Sequence, residues 1–136
     1  MLRFHFPIVI IDEDFRSENT SGLGIRALAA AIFNDADAVT FTPLSASERF
    51  TALQGASVDI LARITTWTMS RDTTLGINFA GTNYFDGQGF LVRRADGFTT
   101  AADLNGGSIC VQTGTTTELN VTDFFAANNM TFNPVV

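Results

Sequence analysis

The amino-acid sequence predicts an α/β fold with a mostly parallel sheet. Three observations predict it. Pro7-Ile8-Val9-Ile10-Ile11 is a β-branched run that ends in Asp12-Glu13-Asp14, the pattern of a strand buried on both faces. Short apolar runs of this kind then alternate with segments of helical periodicity along nearly the whole chain. Polar loops follow the strands, notably Arg63–Asp72 and Thr113–Thr117, where ligand sites of parallel sheets lie.

Element by element, Pro7–Ile11 is the first expected strand, and Leu23–Phe33, rich in alanine with apolar residues at helical spacing, is the first expected helix. Thr40–Leu44 reads as a short strand. Ser45 or Ser47 then caps a helix running through Phe50 and Leu53 to Gly55. Val58–Ala62 and Gln88–Arg93 are further expected strands, and Thr99–Leu104 a short helix. Ser108–Gln112 is a strand that leads through Thr113-Gly114-Thr115-Thr116-Thr117 into a helix ending at Asn128. Thr131–Val136 is the last strand.

Composition removes several function classes. A chain of 136 residues with 46% hydrophobic and 16% charged residues has material for one real core. Its net charge of −6 carries no clustered positive field, so no nucleic-acid partner is expected. All eight basic residues are arginines, which leaves no lysine for a Schiff base or a phosphate loop. No run reaches the length of a membrane span, so no direct membrane insertion is expected. The N-terminus has no signal-peptide pattern, which implies a cytoplasmic location if the sequence is complete.

The motifs that bear on chemistry are few. Gly22-Leu23-Gly24-Ile25-Arg26-Ala27 matches a dinucleotide fingerprint by letter, but about ten residues separate it from the strand at Ile11, so it reads as a helix entry. Asp12, Glu13 and Asp14 read as a solvated strand end, and no metal or cofactor is expected. Cys110, the single cysteine, reads as a small buried hydrophobe, since a catalytic thiol needs a base and His5 is the one histidine. Thr65-Thr66-Trp67-Thr68-Met69-Ser70-Arg71-Asp72 is the richest polar cluster. Its hydroxyls and guanidinium suit a carboxylate, although a solvated surface loop explains the same letters. Thr113–Glu118 offers either an anion site at a helix start or an ordinary N-cap.

Together these segments resemble a known family. Thr42-Pro43-Leu44-Ser45-Ala46-Ser47-Glu48-Arg49-Phe50-Thr51-Ala52-Leu53-Gln54, the stretch Thr65–Gly76, Asn78-Phe79-Ala80-Gly81, Tyr84–Phe90 and Cys110–Asn120 follow in order the family-three bacterial solute-binding proteins of the general L-amino-acid type. The resemblance covers residues 34–136 and implies an incomplete type II periplasmic-binding-protein fold, with residues 29–93 in lobe one and 94–136 in lobe two. It implies a non-enzymatic, periplasmic protein that binds glutamate, aspartate or their amides and serves an ABC transporter permease. It also implies that Arg71, Thr66 and Thr116 hold the ligand's α-carboxylate, that Arg49 faces the ligand side chain, and that Thr65 and Thr115 are further ligand-binding candidates. Cys110 resembles a family cysteine whose partner lies beyond Val136, so a free thiol is implied. The sequence departs from the family at Ile64, where a polar residue is usual, and lacks the family's first strand, aromatic clamp and remaining lobe-two segments.

The N-terminal stretch Phe6–Leu28 resembles instead the receiver-like N-terminal domain of ornithine/lysine/arginine decarboxylases, which assists assembly. With residues 1–28 of that origin, the chain would be a chimera. Its alternative role would be a non-catalytic assembly module.

Overall fold

A computed structural model describes residues 8–9, 20–82 and 84–136. These fall into two compact units, Met1–Gly81 and Thr82–Val136. The expectations for His5, for Asp12–Asp14 and for most of the strand at Pro7–Ile11 lie outside the described residues.

In the first unit, strand β1 (Ile8–Val9) pairs in parallel with β2 (Ile60–Leu61), Ile8 opposite Ile60 and Val9 opposite Leu61. Between them come helices α1 (Thr20–Phe33) and α2 (Arg49–Gln54). Parallel neighbours need such a crossover, because a tight turn cannot reverse the chain twice. Helix α1 buries Ile25 and Ala29. Leu28, Phe33, Val39, Phe41 and Ile60 pack around Ile25. Val58 forms a second small core with Leu44, Ala52, Leu53 and Leu61. Beside the first core, the guanidinium of Arg26 pairs with Asp37 and lies 5.5 Å from the Phe41 ring centre.

Two expectations here are corrected. Thr40–Leu44 forms no strand: Phe41 and Leu44 pack on Ile25 and Val58, and the segment joins no ladder among the described residues. Helix α2 starts at Arg49, later than a cap at Ser45 or Ser47 implies. Ser45 nevertheless shapes the entry. Its backbone N–H and hydroxyl both donate to the Glu48 carboxylate, at 3.2 and 2.5 Å, and these bonds hold the Glu48 pKa below the ordinary carboxylate value.

In the second unit, β3 (Ser108–Cys110) pairs in parallel with β4 (Asn133–Val135) across helix α4 (Thr116–Ala127). This is one β–α–β crossover. Val121 and Phe125 are the buried residues of α4, and Phe125 collects Phe90, Phe124 and Phe132 around it with ring centres 4.9–6.1 Å away. Two short 3₁₀ turns, Arg94–Asp96 and Ala101–Leu104, precede β3. The second is held by a reciprocal cap between Thr100 and Asp103.

Gln88–Arg93, expected as a strand, forms none and belongs to the second compact unit. Its Gln88 amide donates to the Thr117 carbonyl at 3.1 Å and accepts from Asn120 at 3.0 Å, while Phe90 joins the Phe125 cluster. The segment is thus fastened to α4 by side chains rather than by a ladder. Cys110 is also corrected. Successive side chains on a strand point to opposite faces, and in β3 the face of Ser108 and Cys110 is exposed while Ile109 turns inward.

Candidate functional site

Among the described residues of the first unit, buried charge is concentrated at one place. The two most buried charged residues among them are both arginines, Arg49 at 2% and Arg71 at 9% exposure. Both come from short helices that follow polar loops. Arg49 opens α2, and Arg71 lies in helix α3 (Met69–Thr74), whose first turn is capped by the Thr68 hydroxyl accepting from the Arg71 N–H at 3.3 Å. Phe50 brings the two together: the guanidinium carbons of Arg49 and Arg71 lie 4.8 and 5.0 Å from its ring centre. An aromatic face attracts cations and tolerates them where water is excluded.

The loop between β2 and α3 supplies the other partners. Arg71 Nη1 donates to the Thr66 carbonyl at 2.8 Å. Arg49 Nη1 donates to the Ile64 carbonyl at 3.2 Å and approaches the Thr65 hydroxyl at a long 3.5 Å. The structure therefore gathers Arg49, Arg71, Thr65 and Thr66, four of the six sequence-predicted site residues. The Ile64 side chain is exposed, and only its carbonyl takes part. Trp67, beside Thr66, stacks on Phe79 at 5.2 Å with the rings 9° from parallel.

Electrostatically the cluster is one-sided. Burial lowers the Arg49 pKa to about 10, and repulsion from Arg71 and Arg63 pushes it the same way; burial also lowers that of Arg71. Both stay charged at neutral pH. Among the described residues the ion pairs are Arg26–Asp37 and Arg93–Asp96, so neither Arg71 nor Arg63 has a carboxylate beside it. Among the described residues, then, Arg71 and Arg63 bring positive charge to this region without a carboxylate of their own. Such an arrangement is suited to an incoming anion.

Arg63 is the residue that sequence reasoning missed. An arginine just after a strand reads as a solvated side chain, and only its burial and its repulsion of Arg49 single it out.

Thr115 and Thr116 belong to the second unit. Thr115 is the N-cap of α4: its hydroxyl donates to the Gln112 carbonyl at 2.7 Å and accepts from the Glu118 N–H at 3.2 Å. Glu118 returns to accept from the N–H of Gly114, the residue before the cap, at 3.0 Å, which ties the loop to the first turn of the helix. Gly114 sits at φ +78°, where glycine avoids a Cβ clash. Thr116, half-buried, is the first residue of α4.

Two hollows in this unit are poorer candidates. One of about 300 Å³ is lined by apolar residues and threonines such as Phe90, Phe98 and Thr99. One of about 470 Å³ includes Arg93, Asp96 and Asp103, but Arg93 pairs with Asp96, and Asp103 accepts from the backbone N–H groups of Thr99 and Thr100. Among the described residues no group of three His, Cys, Asp or Glu side chains is placed to hold a metal, and no helix is long and apolar enough to cross a membrane.

Known proteins share this arrangement of elements. A solved structure described as an ABC transporter periplasmic binding protein from Brucella ovis with glutathione bound superposes with a TM-score of 0.84 at 50% sequence identity, covering 97% of this chain and 45% of that one. The fold is that of a periplasmic binding protein. The general L-amino acid-binding periplasmic protein AapJ of Rhizobium johnstonii is 51% identical over 123 residues, which is 88% of this chain and 36% of the relative. The glutamate/glutamine/aspartate/asparagine-binding protein BztA of Rhodobacter capsulatus is 54% identical over 110 residues, 81% of this chain and 32% of the relative. The chain thus spans about a third of the length of these curated relatives. No protein-family profile matches it.

These relatives, named as binding proteins and not as enzymes, support the amino-acid solute-binding family. They give no support to a decarboxylase-derived N-terminus. A match over 88% of the chain is more than residues 34–136 alone could supply, and the structural match takes in 97%. The chimera and the assembly-module role are therefore set aside.

Proposed function

We propose that the chain is part of the solute-binding component of an amino-acid ABC transporter, working in the periplasm with a membrane permease. Its ligands are polar L-amino acids, glutamate and aspartate first and their amides next. The observation that carries this reading is the pair of buried arginines on Phe50, with threonines beside them and no carboxylate at Arg71. A guanidinium offers a carboxylate two parallel donors, and burial strengthens the bond by excluding water.

In this reading Arg71 and Thr66 receive the α-carboxylate, and Arg49 and Thr65 face the side chain. In the second unit Thr116 serves as a further hydroxyl donor, while Thr115 keeps the start of α4 in place. The relatives' names support the ligand class: one is named for general L-amino acids, and another for glutamate, glutamine, aspartate and asparagine. The Brucella protein holds glutathione. Glutathione also carries a glutamyl α-amino and α-carboxylate group, so a γ-glutamyl peptide is a ligand candidate on the same chemistry.

Calorimetry with glutamate, aspartate, glutamine, asparagine and glutathione tests the reading, using the chain and its Arg71→Met variant. Charge-assisted hydrogen bonds of about 1.5–3 kcal/mol set the expected loss in the variant at roughly ten- to a hundredfold in affinity. Equal binding by the variant would place the carboxylate elsewhere. No heat from any of the five would defeat the proposal.

A further inference from the structure

Arg63 follows β2 and is half-buried. Its Nε and Nη1 are both shut off from solvent, and neither has a hydrogen-bond partner. Nearly all buried donors in folded proteins are paired, so two unpartnered buried N–H groups on one guanidinium are exceptions. Something is expected to answer these two N–H groups. No carboxylate among the described residues does so, although the chain has fourteen acidic side chains.

The neighbourhood says what would. The Arg49 head group is bonded to the carbonyl of Ile64, the residue next to Arg63, and shares the Phe50 ring with Arg71. Three guanidinium groups thus belong to one region of the first unit. A single ligand carboxylate held by Arg71 leaves Arg63 without one. A ligand with a second carboxylate answers a second charge and supplies acceptor oxygens for the unpaired N–H groups, whereas an amide presents one neutral acceptor. We propose that Arg63 receives the side-chain carboxylate of a dicarboxylic amino acid, and so sets the preference for the acid over its amide. This rests on the amino-acid-binding reading above and adds to it a residue and a direction of specificity.

The test uses the whole chain, ¹⁵N-labelled at arginine, titrated with glutamate, glutamine and glutarate, together with Arg63→Gln and Arg63→Lys. Glutamate is expected to shift the Nε–H signals of both Arg63 and Arg71, and glutamine that of Arg71 alone. Glutarate, a diacid with no amine, is expected to shift Arg63 as glutamate does. Arg63→Gln is expected to weaken glutamate by about ten- to a hundredfold and glutamine by less than about threefold, with Arg63→Lys recovering part of the difference. The ligand-free Arg63→Gln chain should melt no lower than the parent, because it loses two buried N–H groups that had no partner.

If Arg63→Gln lowers the ligand-free melting temperature by several degrees, Arg63 is a structural residue and the inference falls. It falls equally if the variant weakens both ligands alike, or if glutamate moves Arg71 and leaves Arg63 unmoved; the amino-acid-binding reading survives the last result. If no ligand moves Arg71, both readings fall together.

Discussion

Truncating Phe125 to alanine is expected to unfold the second unit. Phe125 is 1% exposed and lies at the centre of an aromatic cluster with Phe90, Phe124 and Phe132, at 6.1, 5.9 and 4.9 Å between ring centres. Replacing a buried phenylalanine by alanine costs about 3–5 kcal/mol, from lost transfer energy and the cavity left behind. Edge-to-face aromatic pairs add about 0.5–1.5 kcal/mol each beyond their buried area, so the upper end applies. A unit the size of Thr82–Val136, at about 0.05–0.15 kcal/mol per residue, is stable by roughly 3–8 kcal/mol. The substitution therefore removes most or all of that margin. Hydrogen exchange followed by mass spectrometry reads the result directly, as lost amide protection over Ser108–Cys110 and Thr116–Ala127. Unchanged protection of α4 and β3 in the variant would refute the assignment of Phe125 as the centre of this core.

Thr115→Ala is expected to destabilise α4 by about 1 kcal/mol, since the hydroxyl both accepts from Glu118 and donates to Gln112; urea unfolding followed by circular dichroism checks it. For Asp103, backbone N–H donation from Thr100 and Thr99 holds the carboxyl pKa below its usual 3.8. A depressed carboxyl contributes stability that is present above the unfolded value and is lost as pH falls through the folded one. Asp103→Asn should therefore be less stable than the parent at neutral pH, with the gap closing as pH is taken below 3.8, in melts across an acid pH series.

What was legible in the sequence divides along a physical line. Helices α1 and α4 were readable because their signals are local: alanine-rich periodicity in one, and in the other a threonine-rich N-cap, which the structure places at Thr115 with its hydroxyl accepting from the Glu118 N–H. The strands expected at Thr40–Leu44 and Gln88–Arg93 failed because alternation reports a half-buried face and not a hydrogen-bonded neighbour. Phe41 and Leu44 have the face without the ladder, and Leu91 has neither. Arg49 and Arg71 entered through resemblance, whereas their shared seat on Phe50 is a tertiary fact with no local signature. Arg63 went unremarked in the sequence and is partly buried, whereas Cys110 was expected to be buried and is exposed.

The stack of Trp67 on Phe79 has a use beyond packing. This is the chain's single tryptophan, one residue from the carbonyl that anchors Arg71. Indole emission depends on its ring neighbours and on the water and charge around it, so the spectrum of this chain is a one-colour record of events in the loop between β2 and α3. A ligand that draws Arg71 from Thr66 changes the field at the indole without any label being attached, and the rate of that change can be followed by stopped flow.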